Sequence, residues 1–445
     1  MKVHFIAIGG SVMHQLAIAL KRKGYRVTGS DDEIFEPAKS NLSAEGLLPH
    51  SMGWQRANIK NDLDAVILGM HAKDDNIELI QAREACLKIY SFPEYIYNES
   101  RQKLRVAIGG SHGKTSTTAM VMHVLKKAGK DFDYLVGAKL EGFDQSVNIT
   151  DAPIIICEAD EYPASAIEKR PKFHFLFPHV AVLTGIAWDH INVFPTFEFY
   201  LEQFRIFIEK IEIDGVLIYN STDETLNSLV ESNKRDDITY LPYALPTYFI
   251  ENGKTEIIIE GVKSKLAVFG NHNLLNLHAA YLVCKQLGIS ASAFVHAIAD
   301  FKGAAKRLEL LHSHNNFNVY RDFAHAPSKV KATIEAVKQQ FPDRKLIAVL
   351  ELHTYSSLNE NFLAEYKGAM DPADACVVFY SKHALELKRM PPLSPEKVKE
   401  SFAIKDMEVI TDKEVLDQWL KLQDKTNATL LLMSSGNYDG LHFKF

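Results

Sequence analysis

The segment Gly110-Ser111-His112-Gly113-Lys114-Thr115 restricts the fold of this chain more than any other stretch. An apolar run, Leu104 to Ile108, precedes it, and a helix-forming stretch that includes Ser116 and runs through Leu125 follows. The order is strand, glycine turn, helix. Backbone N–H groups at a helix N-terminus favour anionic oxygens, a lysine adds charge at terminal phosphates, and a threonine hydroxyl can complete a Mg²⁺ shell. The spacing departs from the common phosphate loop, because Ile108 rather than glycine stands five positions before Gly113. A glycine turn with a solvent-exposed lysine is the plain alternative. Strands that alternate with helices in this way imply an α/β fold on a mostly parallel sheet.

The same theme opens the chain. Val3 to Ile8 reads as a strand, Gly9-Gly10 as a turn, Met13 to Lys23 as a helix, and Tyr25 to Gly29 as a strand ending at Ser30-Asp31-Asp32. Ala65 to Gly69 is a further apolar run of the kind buried in parallel sheets. The polar stretch Asn98 to Lys103 then marks a boundary. Apolar strands at Ile154–Cys157 and Val180–Leu183 continue the second unit, Tyr240 to Phe269 reads as a small antiparallel appendage, and a helix follows from Asn271 to Gly288. A third unit begins near Ala304, with strands at Leu346–Leu350, Ala375–Tyr380 and Leu430–Met433. At roughly 150 residues per domain, 445 residues suggest three domains, placed at 1–100, 101–303 and 304–445.

Composition excludes some partners. Lys and Arg number 50 against 56 Asp and Glu, a net charge of −6, so nothing favours a nucleic acid or an anionic membrane surface. No run of 18 apolar residues suggests a membrane span. The apolar start runs into Gly9-Gly10 with no small-residue cleavage site after it, and is read as a buried strand. Cys86, Cys157, Cys284 and Cys376 are far apart and show no CxxC spacing, as expected of reduced thiols in a cytoplasmic protein.

Several other groups could carry chemistry. Glu158 stands where an apolar strand ends, at the sheet edge where ligands bind, and is a candidate Mg²⁺ ligand. Trp188-Asp189-His190 follows another apolar strand and brings a histidine to that edge. The Gly9-Gly10 turn resembles a dinucleotide loop, but Ser11 and Val12 follow and Met13 stands where the last glycine belongs; another nucleotide or a simple tight turn remains open. Ser30-Asp31 would suit a ribose or base. Asn273 and Asn276, at i and i+3 of a helix, share a face and could offer amides to a base edge, with capping by Asn271 the plainer role. Arg321 to Pro327 ends a strand with charged groups before a proline turn.

Taken in order, "HFIAIGG", "VTGSD", "GGSHGKTST", "EADE", "WDHINVFP", "GNHNLLN", "KRLELL" and "DFAHAP" resemble the Mur ligase family of ATP-dependent amide-forming enzymes over nearly the whole chain. Gly185, Ala326 and "ELHTYSSLN" are departures from the pattern. The resemblance implies a Rossmann-like UDP-sugar domain, a central P-loop ATPase domain and a C-terminal Rossmann-like domain. It implies ATP and Mg²⁺, with no organic cofactor, and a monomer or homodimer. An acyl phosphate forms on the substrate carboxylate and an amine then attacks it. By the same resemblance Lys114 and the loop amides would meet the phosphates, Thr115 and Glu158 would hold the metal, and His190 would serve a second metal position. His272, Asn273 and Asn276 would meet adenine, Asp322 the ribose, and Arg307 and His325 the reacting groups. Gly9, Gly10, Ser11, Ser30 and Asp31 would hold UDP-N-acetylmuramate.

Two segments, Glu158–Tyr162 followed by Glu168–Phe173, and Met433–Gly440, look closest to the branch whose donor is the intact tripeptide L-alanyl-γ-D-glutamyl-meso-diaminopimelate, in peptidoglycan recycling. Lys169, Arg170, Lys172 and His353 are its expected donor residues; a solvated basic turn is the plainer account of the first three. A biosynthetic L-alanine ligase and a non-catalytic nucleotide-binding switch are the alternatives.

Overall fold

A computed structural model describes residues 1–188, 193–304 and 307–443. It divides into two compact units, Met1–Ala244 with Leu275–Ala297, and Leu245–Leu274 with Ile298–Phe445. Among the described residues no helix is long and apolar enough to cross a membrane.

The first unit holds two sheets. One is parallel, with strand order Arg26–Ser30, Lys2–Ile6, Ala65–Leu68, Ile89–Ser91. Its strands alternate faces, so Val3 and Phe5 join one apolar cluster while Ile6, Val66 and Leu68 join another. Helix Met13–Arg22 covers the first face with Met13, Leu16, Ala17 and Leu20, and Lys21 and Arg22 complement the helix dipole in its last turn. Burial of each large side chain stabilises by about 1.5–3 kcal/mol.

The second sheet runs Thr239–Tyr243, Val216–Asn220, Val180–Leu183, Leu104–Gly109, Ile154–Glu158, Asp133–Leu135, Val147–Asn148. All neighbours are parallel except the last pair. Leu104–Gly109 lies at the centre, so its loop emerges between the ends of the strands carrying Glu158 and Leu183.

In the second unit, Glu309–His314 pairs antiparallel with Phe317–Asp322, and the parallel strands Ala428–Met433, Lys345–Glu351, Ala375–Phe379 and Glu408–Ile410 follow in that spatial order. The antiparallel appendage is a three-stranded sheet, Thr247–Glu251, Lys254–Ile259 and Val262–Leu266. It is fastened to helix Pro327–Gln340 by Gln340, whose Oε1 accepts from Thr255 Oγ1 and whose Nε2 donates to Gly253 O, both at 2.8 Å.

Candidate functional site

The loop after Leu104–Gly109 owes its shape to two glycines. Gly110 has φ +125°, and a Cβ there would stand 2.2 Å from Thr184 Oγ1; Gly113 has φ +80°, and its Cβ would meet Asn276 Oδ1 at 2.2 Å. Only glycine fits both the backbone and the space. Ser111 N–H donates to Gly185 O at 2.9 Å, its hydroxyl pairs with Tyr200 OH at 2.8 Å, and Thr184 Oγ1 donates to the carbonyls of Gly109 and His112. The loop is thus braced from the neighbouring strand's end. Helix Lys114–Lys127 begins directly behind it, with Ser116 buried in its first turn. No side chain caps its first turn, and N–H groups at such a helix start favour an anion.

Lys114 is not the exposed lysine of the plain alternative. Its Nζ donates to Gly110 O and Glu161 Oε2, each at 2.7 Å; the lysine side chain is 15% exposed and Glu161 1%. Burial works against the ammonium charge, but the carboxylates of Glu161, Asp160 and Glu158 outweigh it and hold the pKa above the ordinary lysine value. Thr115 Oγ1 donates to Glu158 Oε1 at 2.9 Å, and Glu158 Oε2 accepts from Gly137 N–H at 2.9 Å. Burial pushes the Glu158 carboxyl up, against the Gly137 N–H and Lys114. A desolvated carboxylate beside a hydroxyl, both hard oxygen donors, suits Mg²⁺. His190, the expected second metal position, lies outside the described residues.

The other first-unit loop also follows from its strand. Gly9 N–H donates to Asp31 Oδ2 at 2.6 Å, and a Cβ at Gly9 would stand 2.9 Å from that oxygen. Burial raises the Asp31 pKa to about 6, against the Gly9 N–H. Gly10 packs against Met13, and Ser11 is exposed. The Ser30 hydroxyl turns the other way, donating to buried Glu78, which also faces His4 Nε2 at 3.3 Å and accepts from Asn58 Nδ2 at 2.8 Å. Ligand atoms of Asp31, Asp32 and His71 lie within 4.8 Å of one another. His71 had no motif to mark it.

The basic turn is largely engaged locally. Arg170 makes a two-point contact with Glu168 at 2.7 and 3.0 Å, and Lys172 Nζ lies 2.6 Å from Asp160 Oδ2. Lys169 is exposed, with no partner among the described residues.

In the second unit, Asp322 is buried and accepts the N–H groups of Leu308 and Ala324 at 2.7 Å each, which fixes the chain next to Arg307. The Arg307 guanidinium lies over the Phe323 ring at 4.8 Å, and the His325 ring meets the same phenylalanine edge-on at 5.3 Å. Burial lowers the His272 pKa, Asp322 pulling it up and Arg307 pushing it down. The structure therefore brings His272 within electrostatic reach of Asp322 and Arg307, although more than thirty residues separate His272 from Arg307 in sequence, while His325 shares the Phe323 ring with Arg307. Asn273 is buried and donates from Nδ2 to Phe269 O at 2.9 Å. His353 stands beside Glu351 and Gly436, residues that sequence reasoning missed.

Three family models match the chain: "Mur ligase family, catalytic domain" over residues 2–103, "Mur ligase middle domain" over 108–284, and "Mur ligase, glutamate ligase domain" over 306–436. Among curated relatives, a UDP-N-acetylmuramate–L-alanine ligase of Sulfurihydrogenibium sp. is 32% identical over 389 residues, covering 85% of this chain and 82% of the relative. One of the same name from Carboxydothermus hydrogenoformans is 29% identical over 455 residues, covering 99% and 95%. Two solved structures share the fold: a murein peptide ligase from Psychrobacter arcticus, with TM-score 0.63 and 21% identity, and a UDP-N-acetylmuramate–alanine ligase from Thermotoga maritima, with TM-score 0.68 and 22% identity. Each covers 99% of this chain and 97% of its own. With all three family models matched in order along it, the chain belongs to the Mur ligase family of ATP-dependent, amide-bond-forming ligases of peptidoglycan synthesis.

Proposed function

We propose that this ligase joins the carboxylate of UDP-N-acetylmuramate to the amine of L-alanyl-γ-D-glutamyl-meso-diaminopimelate. The observation that carries the ligase chemistry is the convergence of Lys114, Thr115 and Glu158 at adjoining ends of two parallel strands. A carboxylate is a poor electrophile and needs activation. Its oxygen attacks the γ-phosphorus of ATP, the bond to the departing ADP breaks, and an acyl phosphate results. The donor nitrogen then attacks the acyl carbon, loses a proton and expels phosphate.

Lys114 and the loop N–H groups stabilise charge on the transferring phosphoryl group. Thr115 and Glu158 would hold Mg²⁺, which supplies further neutralisation of phosphate charge when bound. The Gly9-Gly10 loop with Ser11 and Asp31 takes the UDP-sugar; Ser30 supports it through its backbone, because its hydroxyl bonds Glu78. Asn273 and Asn276 with His272 are assigned to adenine, Asp322 to the ribose side, and Arg307 and His325 to the reacting groups.

The tripeptide donor is supported by the segments around Glu158–Phe173 and Met433–Gly440, and by exposed Lys169. A second reading, with L-alanine as donor, is supported by the names of the curated relatives. Competition between equal concentrations of the two donors, with products identified by mass, tests the choice. The tripeptide adduct is expected to dominate; a dominant L-alanine adduct selects the second reading.

A further inference from the structure

Strands Lys345–Glu351 and Ala428–Met433 run side by side, and their C-terminal ends converge on one carboxylate. Glu351 is 1% exposed. Its Oε2 accepts the Tyr438 N–H at 2.9 Å and the Ser434 hydroxyl, while Oε1 faces His353 Nδ1 at 3.8 Å. Gly436 lies flat against the imidazole: a Cβ there would stand 2.7 Å from His353 Cγ and 2.8 Å from Glu351 Oε2. Here glycine answers a lack of space, since its φ lies outside the left-handed region. Beside it, Ser435 Oγ is buried and has no partner among the described residues. Thr354 and Ser357 exchange hydrogen bonds at 2.9 and 3.1 Å, which fixes the backbone after His353.

Burying a carboxylate is costly unless its oxygens are engaged. Glu351 has one oxygen anchored by two donors and the other 3.8 Å from the His353 imidazole, beyond hydrogen-bond distance but close enough for its charge to act on the ring. His353 remains one-third exposed at the edge of the parallel strands, where ligands bind in open α/β sheets.

We propose that Glu351 is a positioning residue for the amine donor: its buried charge favours the protonated His353 ring that meets a carboxylate-bearing amine, and Gly436 keeps the space that the ring needs. The inference rests on the ligase reading above and on His353 as one of its expected donor residues. It adds a residue that fixes donor affinity without touching the donor.

The test is steady-state kinetics of the full chain. Glu351→Gln keeps the size and an acceptor for Ser434 and Tyr438 but removes the charge facing His353. The KM for the donor is expected to rise about 10-fold or more, with the KM values for ATP and UDP-N-acetylmuramate within about two-fold, and Glu351→Asp in between. His353→Asn should raise the donor KM similarly, and the double variant should be no worse than His353→Asn alone, because Glu351 acts through the ring. Additive effects, or equal changes in all three KM values, overturn the proposal. If Glu351→Gln fails to fold, Gly436→Ala displaces the ring instead, and an unchanged donor KM in that variant overturns it equally. Failure of the unaltered protein to ligate any donor contradicts the ligase reading, whereas ligation with donor KM unmoved in the variants contradicts only this inference.

Discussion

Lys114 Nζ and Glu161 Oε2 are 2.7 Å apart, and Glu161 is almost completely buried. The lysine proposed to meet the phosphates therefore has a structural partner, and removing it takes the cation from a buried carboxylate that the Tyr200 hydroxyl also faces at 3.5 Å. Lys114→Met is expected to lower ligation by at least about 10²–10³, the usual scale for one charge-stabilising donor. It should also destabilise the protein by about 1.5–3 kcal/mol, the scale of one hydrogen bond to a charged group, because the buried carboxylate loses its cationic partner. Adding Glu161→Gln should restore much of the melting temperature and none of the activity. Recovery of both would contradict the phosphate role.

Gly113→Ala meets two obstacles at once, the positive φ and Asn276 Oδ1. The left-handed backbone alone costs about 1–2 kcal/mol for a residue with a Cβ. ATP affinity, read by calorimetry, should fall. Native affinity in this variant would show that the loop can relax.

Glu158→Gln tests the metal assignment. Activity should vanish with a chelator and return with Mg²⁺, and the variant should need about 10–100-fold more Mg²⁺ for half-maximal rate if Glu158 helps to hold the ion. An unchanged Mg²⁺ requirement removes Glu158 from the metal site.

Asp31 links stability to pH. Its folded pKa of about 6 lies above the ordinary aspartate value of 3.8, so its charged form is disfavoured in the native state. The cost is absent below the lower value and develops fully as pH rises through the higher one, up to about 3 kcal/mol. Asp31→Asn should therefore melt higher than the unaltered protein at pH 7, with the advantage lost near pH 4. A pH-independent difference contradicts the assignment.

The strands and the glycine loop before helix Lys114–Lys127 are legible in the sequence because each signal is local. Val180–Leu183 is a continuous apolar run, and Gly110 and Gly113 sit where a tight turn needs them. What could not be read was which distant group each polar side chain meets. Nothing in "EADE" says that its last carboxylate, rather than its first, takes Lys114. Ser30 lies next to Asp31, yet its hydroxyl bonds Glu78, 48 residues on. The Thr255–Gln340 bond that fastens the small sheet joins residues 85 apart. The clustering of Arg307 with Phe323 depends on a backbone path fixed by Asp322, and no spacing rule reports that.

In the proposed reaction the carboxylate is activated by phosphoryl transfer at the Lys114 and Glu158 site. UDP-N-acetylmuramate labelled with ¹⁸O in its carboxylate, incubated with ATP, Mg²⁺ and the tripeptide, tests it most directly by mass analysis of the released phosphate. Transfer of one labelled oxygen to phosphate for each amide formed, with ADP release requiring both the UDP-sugar and the amine, is the predicted result. Amide formation with unlabelled phosphate, or ADP release indifferent to the UDP-sugar, would contradict the account.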